Sequence, residues 1–162
     1  MIRWGLIGCG DVAEHKSGPG FQRATGSALV AVMRRDAVRA ADFAARHDVP
    51  RWYSDAQALL NDPEVDAVSI ATPPSSHCDL ALLACAAGKP TLVEKPMALN
   101  YAECQAMVEA FRAAGVPLFV AYYRRAQPRF LKIKELLESG AIGVLRAALV
   151  QHTAPPPRVD RA

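Results

Sequence analysis

Four clusters in this sequence place chemically useful residue types just after short apolar runs. The first is Gly8-Cys9-Gly10-Asp11-Val12-Ala13, which follows the run at residues 3–7 and precedes a helical pattern. In a G-x-G-x-x-A motif the first glycine permits a tight turn. The second leaves room for a pyrophosphate to approach the backbone, and the small residue at Ala13 lets helix and strand pack closely. The free amides and the dipole at the helix start, around Asp11 and Val12, favour an anion. A plain glycine turn is the competing reading, because the motif alone is generic.

The second cluster, Arg34-Arg35-Asp36, follows the run at residues 29–33. Dinucleotide sites commonly hold an acidic residue here to accept from the ribose 2′-hydroxyl. Arginine would instead attract a 2′-phosphate and stack on adenine, so the sequence predicts NADP as the preferred cofactor with NAD as the second choice. The alternative makes both arginines solvated and puts Asp36 on the ribose, although Asp36 also suits a helix cap. The third cluster, Thr72-Pro73-Pro74-Ser75-Ser76-His77, follows residues 67–71; Thr72, Pro73 and His77 are candidate cofactor contacts, and His77 equally suits a structural role. The fourth, Glu94-Lys95-Pro96, follows residues 91–93. Lys95 can hydrogen-bond a substrate hydroxyl or carbonyl and stabilise developing negative charge. The competing reading is a Glu94–Lys95 surface ion pair.

These clusters need a frame that brings strand ends together. The apolar runs at 3–7, 29–33, 67–71, 91–93 and 118–121 are nearly continuous, as in parallel strands covered on both faces. Helical segments alternate with them. Asn100 and Glu103 have capping-box spacing, Cys104, Met107, Val108 and Phe111 recur on one face, and Gly115 and Pro117 end the helix. Ser76 is placed to cap a helix with Leu80, Leu83, Ala84 and Ala87 on one face, and Asp36 to cap residues 38–47. Lys16-Ser17-Gly18-Pro19-Gly20 should break the first helix after two turns, with a second piece over 19–25. Residues 61–64 have loop chemistry. The alternation predicts an α/β fold: a doubly wound parallel sheet with ligands at the carboxyl ends of the strands.

Composition excludes other classes. The chain has 162 residues, 51% hydrophobic and 22% charged, and a net charge of +3, too small to indicate nucleic acid or a membrane surface. Arg34, Arg35, Arg124 and Arg125 lack the aromatic interleaving of a nucleic-acid site. Cys9, Cys78, Cys85 and Cys104 have no C-x-x-C spacing, and His15, His47, His77 and His152 do not cluster with them, so no metal site is expected. No basic-then-apolar leader opens the chain and no apolar run reaches the ~20 residues of a membrane span. The expected location is cytoplasmic.

Taken in order, Gly8-Cys9-Gly10, Ala71-Thr72-Pro73-Pro74 with His77, and Glu94-Lys95-Pro96 resemble the glucose–fructose oxidoreductase / inositol dehydrogenase (GFO/IDH/MocA) family. Glu-Lys-Pro is the specific element. The resemblance implies a Rossmann domain and an NAD(P)-dependent oxidoreductase that passes hydride between nicotinamide and a secondary alcohol or carbonyl of a sugar, cyclitol or diol. It implies Lys95 as the catalytic lysine, Glu94 as its neighbour, and Tyr122, Tyr123 and Arg124 as substrate-side candidates, although both tyrosines equally suit packing. It also implies a homo-oligomer for a full-length form. The expected organisation is a dinucleotide-binding domain over 1–121, the start of a truncated second α+β domain over 122–152, and an extended or disordered tail over 153–162. In the second part a helix near 129–139 and a strand at 144–151 are expected. That strand would lack a sheet and favour self-association or disorder. A chain so organised is expected to hold the cofactor half of a dehydrogenase without catalysing alone; a non-catalytic dinucleotide-binding module or truncated remnant is the alternative.

Overall fold

The computed structural model describes residues 1–151 and 153. The chain divides into two units, Met1–Tyr122 and Tyr123–Ala162. In the first unit six strands form one sheet: β1 (Ile2–Ile7), β2 (Ser27–Met33), β3 (Arg51–Tyr53), β4 (Ala67–Ile70), β5 (Thr91–Val93) and β6 (Leu118–Val120). Their order is β3-β2-β1-β4-β5-β6, and every pairing is parallel. Strand order reverses beside β1, so a crevice opens at the carboxyl edge between β1 and β4, the place where such sheets take ligands.

Five strands coincide with the apolar runs. β3 was not among them: Arg51-Trp52-Tyr53 is too short for a periodic signal and lies on the sheet edge. The remaining helices are α1 (Gly18–Arg23), α2 (Ala37–Arg46), α3 (Ala56–Leu60), α4 (His77–Ala86) and α5 (Tyr101–Ala114). They cover both faces, because side chains alternate along a strand. Ile7 faces a cluster with Leu59, Ala81, Met107 and Phe111, while its neighbour Leu6 faces another with Ala13, Val32 and Phe43. Burial of both neighbours at 0% exposure is what makes the β1 sequence read as continuously apolar.

The expected break in the first helix does not occur. The backbone stays helical from Asp11 to Arg23, with a π-helical stretch at Ala13–Ser17. There the Gly18 amide donates to the Ala13 carbonyl five residues back. Pro19 then falls in the first turn of α1, where its missing N–H costs nothing. Gly18 permits the wide turn, since a Cβ would lie 2.7 Å from the Ala13 oxygen.

Capping follows the sequence at two helices and departs from it at a third. Asp36 accepts from the Arg39 amide, and Asn100 accepts from the Glu103 amide while Glu103 accepts from the Leu99 amide. Ser76 does not cap α4; its hydroxyl turns back to the preceding loop. The buried face of α4 also differs: His77, Ala81, Ala84 and Cys85 point inward and Leu83 is exposed. Apart from Asp79 this helix carries no charged carboxylate or cation, and its leucines, alanines and cysteines fall on all sides, so periodicity could not choose its face.

The second unit contains a turn at Tyr123–Ala126 and α6 (Pro128–Glu138). The strand expected at 144–151 is absent; these residues have no regular structure, and Leu149 is 98% exposed. Ladder hydrogen bonds need a neighbouring strand, and the described residues supply none. Residue 152 and residues 154–162, which include His152 and nearly all of the expected tail, lie outside the described residues. No helix among the described residues is long and apolar enough to cross a membrane. All four cysteines are free thiols.

One ion cluster anchors the first helix to α2. Glu14 binds the Arg46 guanidinium through both oxygens and lies 2.9 Å from His47 Nε2. Arg46, helped by His47, holds the Glu14 carboxyl at about 2, below its ordinary value of 4.5. A carboxylate depressed by folding contributes stability above its unfolded pKa and loses it as pH falls toward the folded one. Glu14→Gln is therefore expected to lower denaturation midpoints at neutral pH, with the difference from wild type shrinking below pH 4.5 and mostly lost by pH 2. An unchanged difference down to pH 2 would contradict this. In the core, a Cβ on Gly5 would lie 2.8 Å from Cδ2 of the fully buried Leu59. Gly5→Ala is expected to destabilise the fold by about 1–3 kcal/mol in urea titration.

Candidate functional site

The first strand leaves the sheet at Ile7, and the chain turns at Gly8 with φ +106°, a conformation that favours glycine. A side chain here would also collide with the next loop: a Cβ would lie 2.8 Å from the Ala71 carbonyl and 2.9 Å from Thr72 Cγ2. At Gly10 the reverse holds, and a Cβ would meet nothing within 4 Å. Between them Cys9 is buried, and its thiol donates to the Met33 carbonyl. Burial pushes that thiol up to about 12, so it remains neutral.

A cleft of about 520 Å³ opens beside this turn and brings together Gly8, Gly10, Arg34, Arg35, Thr72 and Pro73. Six residues from three separate clusters thus share one concavity. Asp36 and Arg39 line it as well. Asp11 lines an adjoining cleft of about 430 Å³ that shares Gly10, Arg34 and Arg39. Val12 is half-buried in the first helical turn and lines neither cleft.

The arginines do different things. Arg34 Nη1 donates to the Cys9 carbonyl at 2.7 Å, so this guanidinium braces the glycine turn from across the cleft. Arg35 is exposed, and its side chain pairs with no group among the described residues. Asp36 is committed to α2: Oδ1 accepts from the Arg39 amide, and Oδ2 lies 3.4 Å from Arg39 Nε. Arg39 is the cleft residue that sequence reasoning missed. Its signal was position, one helical turn after the capping Asp36.

The loops after β4 and β5 run side by side, since Ile70 pairs with Val93. The Ser76 hydroxyl lies 2.8 Å from the Thr72 hydroxyl and 2.9 Å from the Pro73 carbonyl oxygen, which explains why it is unavailable as a cap. His77, a candidate cofactor contact that equally suited a structural role, is 1% exposed. Its Nε2 lies 2.8 Å from the Thr72 carbonyl oxygen and its Nδ1 2.9 Å from that of Pro96. Both ring nitrogens are thereby engaged by backbone, which corrects the expectation of a direct contact.

Glu94 and Lys95 do not form the surface ion pair. A Glu94 carboxylate oxygen accepts from the Lys95 backbone amide at 3.1 Å. The Lys95 side chain is exposed and pairs with no carboxylate among the described residues. The Lys95–Pro96 peptide is cis. Tyr122 follows the edge strand β6, is exposed and lines neither cleft. Tyr123 and Arg124 belong to the second unit, in its exposed first turn. Among the described residues no group of three or more His, Cys, Asp or Glu is arranged to hold a metal.

With this geometry in hand, similarity to known proteins is informative. A family model described as "Oxidoreductase family, NAD-binding Rossmann fold" matches residues 2–122. Oxidoreductase P35 of Formosa agariphila is 51% identical over 150 residues, covering 93% of this chain and 47% of that protein. The mouse trans-1,2-dihydrobenzene-1,2-diol dehydrogenase is 36% identical over 166 residues, covering 99% of this chain and 49% of the enzyme. A crystal structure of an oxidoreductase from Agrobacterium radiobacter, in complex with NAD+, L-tartaric acid and magnesium, superposes with a TM-score of 0.82 at 34% identity, covering 88% of this chain and 42% of the other. The chain spans about half the length of the curated relatives it matches. The crossover at the β1–β4 crevice, the glycine turn and the family match over residues 2–122 lead to one conclusion: this chain belongs to the GFO/IDH/MocA oxidoreductase family and carries its NAD-binding Rossmann domain.

Proposed function

We propose that residues 1–121 bind NADP in preference to NAD and form the cofactor half of a dehydrogenase that moves hydride between nicotinamide and a secondary alcohol or carbonyl of a sugar, cyclitol or diol. The observation that carries the reading is the shared cleft of Gly8, Gly10, Arg34, Arg35, Thr72 and Pro73. Its chemistry suits a dinucleotide. Open space over Gly10 admits a pyrophosphate to the backbone, next to the first amides of a helix. Thr72 supplies a hydroxyl held in place by Ser76. Residues 122–152 are read as the opening of a second domain.

Cofactor preference turns on which charges are uncommitted. Asp36 caps α2 and pairs with Arg39, so its carboxylate is poorly disposed to accept from a ribose 2′-hydroxyl. Among the described residues Arg35 has no competing acidic partner, which leaves its guanidinium to a 2′-phosphate. Arg34 contributes positive charge while bracing the turn.

A bound nicotinamide supplies or accepts the hydride. The chain's own part is Lys95, an exposed ammonium unencumbered by Glu94, which donates a hydrogen bond to the oxygen on the reacting carbon and balances its negative charge. Glu94 fixes the backbone at that point by accepting from the Lys95 amide.

Two experiments test this. In fluorescence titration the chain is expected to bind NADPH more tightly than NADH; the opposite preference would sink the cofactor assignment. Arg35→Ala is expected to weaken NADPH binding about tenfold or more, the worth of one charge-assisted hydrogen bond, and to leave NADH binding nearly unchanged. Arg35 is the cleaner site for this, because replacing Arg34 also loosens the glycine turn. In a form that carries the second domain, Lys95→Ala is expected to spare cofactor binding and lower turnover at least a hundredfold. Undiminished turnover would remove Lys95 from the reaction.

A further inference from the structure

His77 is a buried titratable side chain at the carboxyl edge that the proposed reaction does not use. It sits at the start of α4, 1% exposed, between the two loops that follow β4 and β5. Its Nε2 faces the Thr72 carbonyl oxygen at 2.8 Å, and its Nδ1 faces the Pro96 carbonyl oxygen at 2.9 Å. A carbonyl oxygen only accepts, so a ring carrying two N–H groups donates to both loops, while a neutral ring donates to one. No backbone hydrogen bond joins residues 72–76 to residues 94–98 directly. The strands beneath them are paired, but that ladder ends with Ile70 opposite Val93 and the Glu94 amide donating to the Ile70 carbonyl. Beyond the ladder, the imidazole is the polar link between the loop that presents Thr72 and the turn that presents Lys95.

We propose that His77 is a positioning residue that spaces the Thr72 loop from the Lys95–Pro96 turn, its imidazole wedged between one carbonyl oxygen of each and hydrogen-bonded through a ring nitrogen. In this chain the cofactor contact and the reacting lysine then depend on a single buried side chain that touches neither ligand. The part concerning ligand rests on the cofactor reading above; the clamp itself does not.

The two nitrogens can be separated by substitution. Asparagine places its amide nitrogen near the position of Nδ1, and glutamine near that of Nε2. His77→Asn is therefore expected to keep the Pro96 bond and release the Thr72 loop. His77→Gln is expected to do the opposite, and His77→Phe to release both. The readout is residue-resolved amide hydrogen exchange of the free chain by NMR. Exchange is expected to rise about tenfold at Ser76, whose amide donates to the Pro73 carbonyl, in His77→Asn and at Lys95, whose amide donates to Glu94, in His77→Gln, with the Leu6 and Val32 amides of the core unchanged. Equal exchange in both loops for both variants, or a uniform rise that includes the core, would overturn the clamp. If His77→Phe fails to fold, the Asn and Gln pair still decides. NADPH titration on the same samples tests the ligand half: His77→Asn is expected to bind more weakly than His77→Gln. Failure of wild type to bind either nucleotide would count against the cofactor reading alone, because the exchange pattern needs no ligand.

Discussion

The close approach of Gly8 to the Ala71 backbone and the Thr72 side chain is the constraint on which the site depends. At φ +106° and with no room for a Cβ, Gly8 lets the loop from β1 press against the loop from β4. That contact lies at the crevice where strand order reverses. It places Gly10 at an open surface and sets Thr72 and Pro73 opposite the arginines that follow β2. The parallel sheet brings the strand ends to one edge; the glycine determines how near two of the loops come.

Around this approach, most polar side chains are already occupied. Arg34 braces the Cys9 carbonyl, Asp36 caps a helix, Ser76 holds Thr72, and Glu94 holds the Lys95 amide. Each of these bonds orders a loop, whose backbone would otherwise be free to move at an entropic cost to binding. Among the described residues at these strand ends, Arg35 and Lys95 pair with no carboxylate, and these are the two cations that the proposed function gives to ligand charge. Preorganised supports and uncommitted charges are what electrostatic recognition requires.

Much of the fold was legible because its signals are local. Continuous apolar runs marked five strands, and Asp36 and Asn100 marked helix starts through their own short-range hydrogen bonds. The illegible parts lacked such signals. β3 offers three residues at an edge, and α4 spreads its apolar residues over all sides with only Asp79 charged. At Gly18-Pro19 the local rule was outvoted by a π turn that delivers the proline to a helix start. The strand expected at 144–151 had a suitable sequence but no described neighbour to pair with. Asp62 is a further case: its loop was expected, but not that its carboxylate would be buried to accept from Tyr53 and the Glu64 amide.

By itself the sequence determined which residue types stand at which strand ends: glycines after the first, arginines after the second, a threonine and prolines after the fourth, and a lysine after the fifth. Those positions follow from local chain chemistry, and Gly8, Gly10, Arg34, Arg35, Thr72 and Pro73 from three of these strand ends line one cleft, whereas Val12, His77, Glu94 and Lys95 do not line it. Only the tertiary structure decided their roles. Whether Arg34 meets a ligand or a carbonyl, whether Glu94 pairs with an ammonium or an amide, and whether His77 faces a cleft or two loops all depend on atoms brought together from distant parts of the chain. A hydrogen bond is directional and operates over about 3 Å, so its partner is set by the packed three-dimensional arrangement and cannot be read from spacing along the sequence.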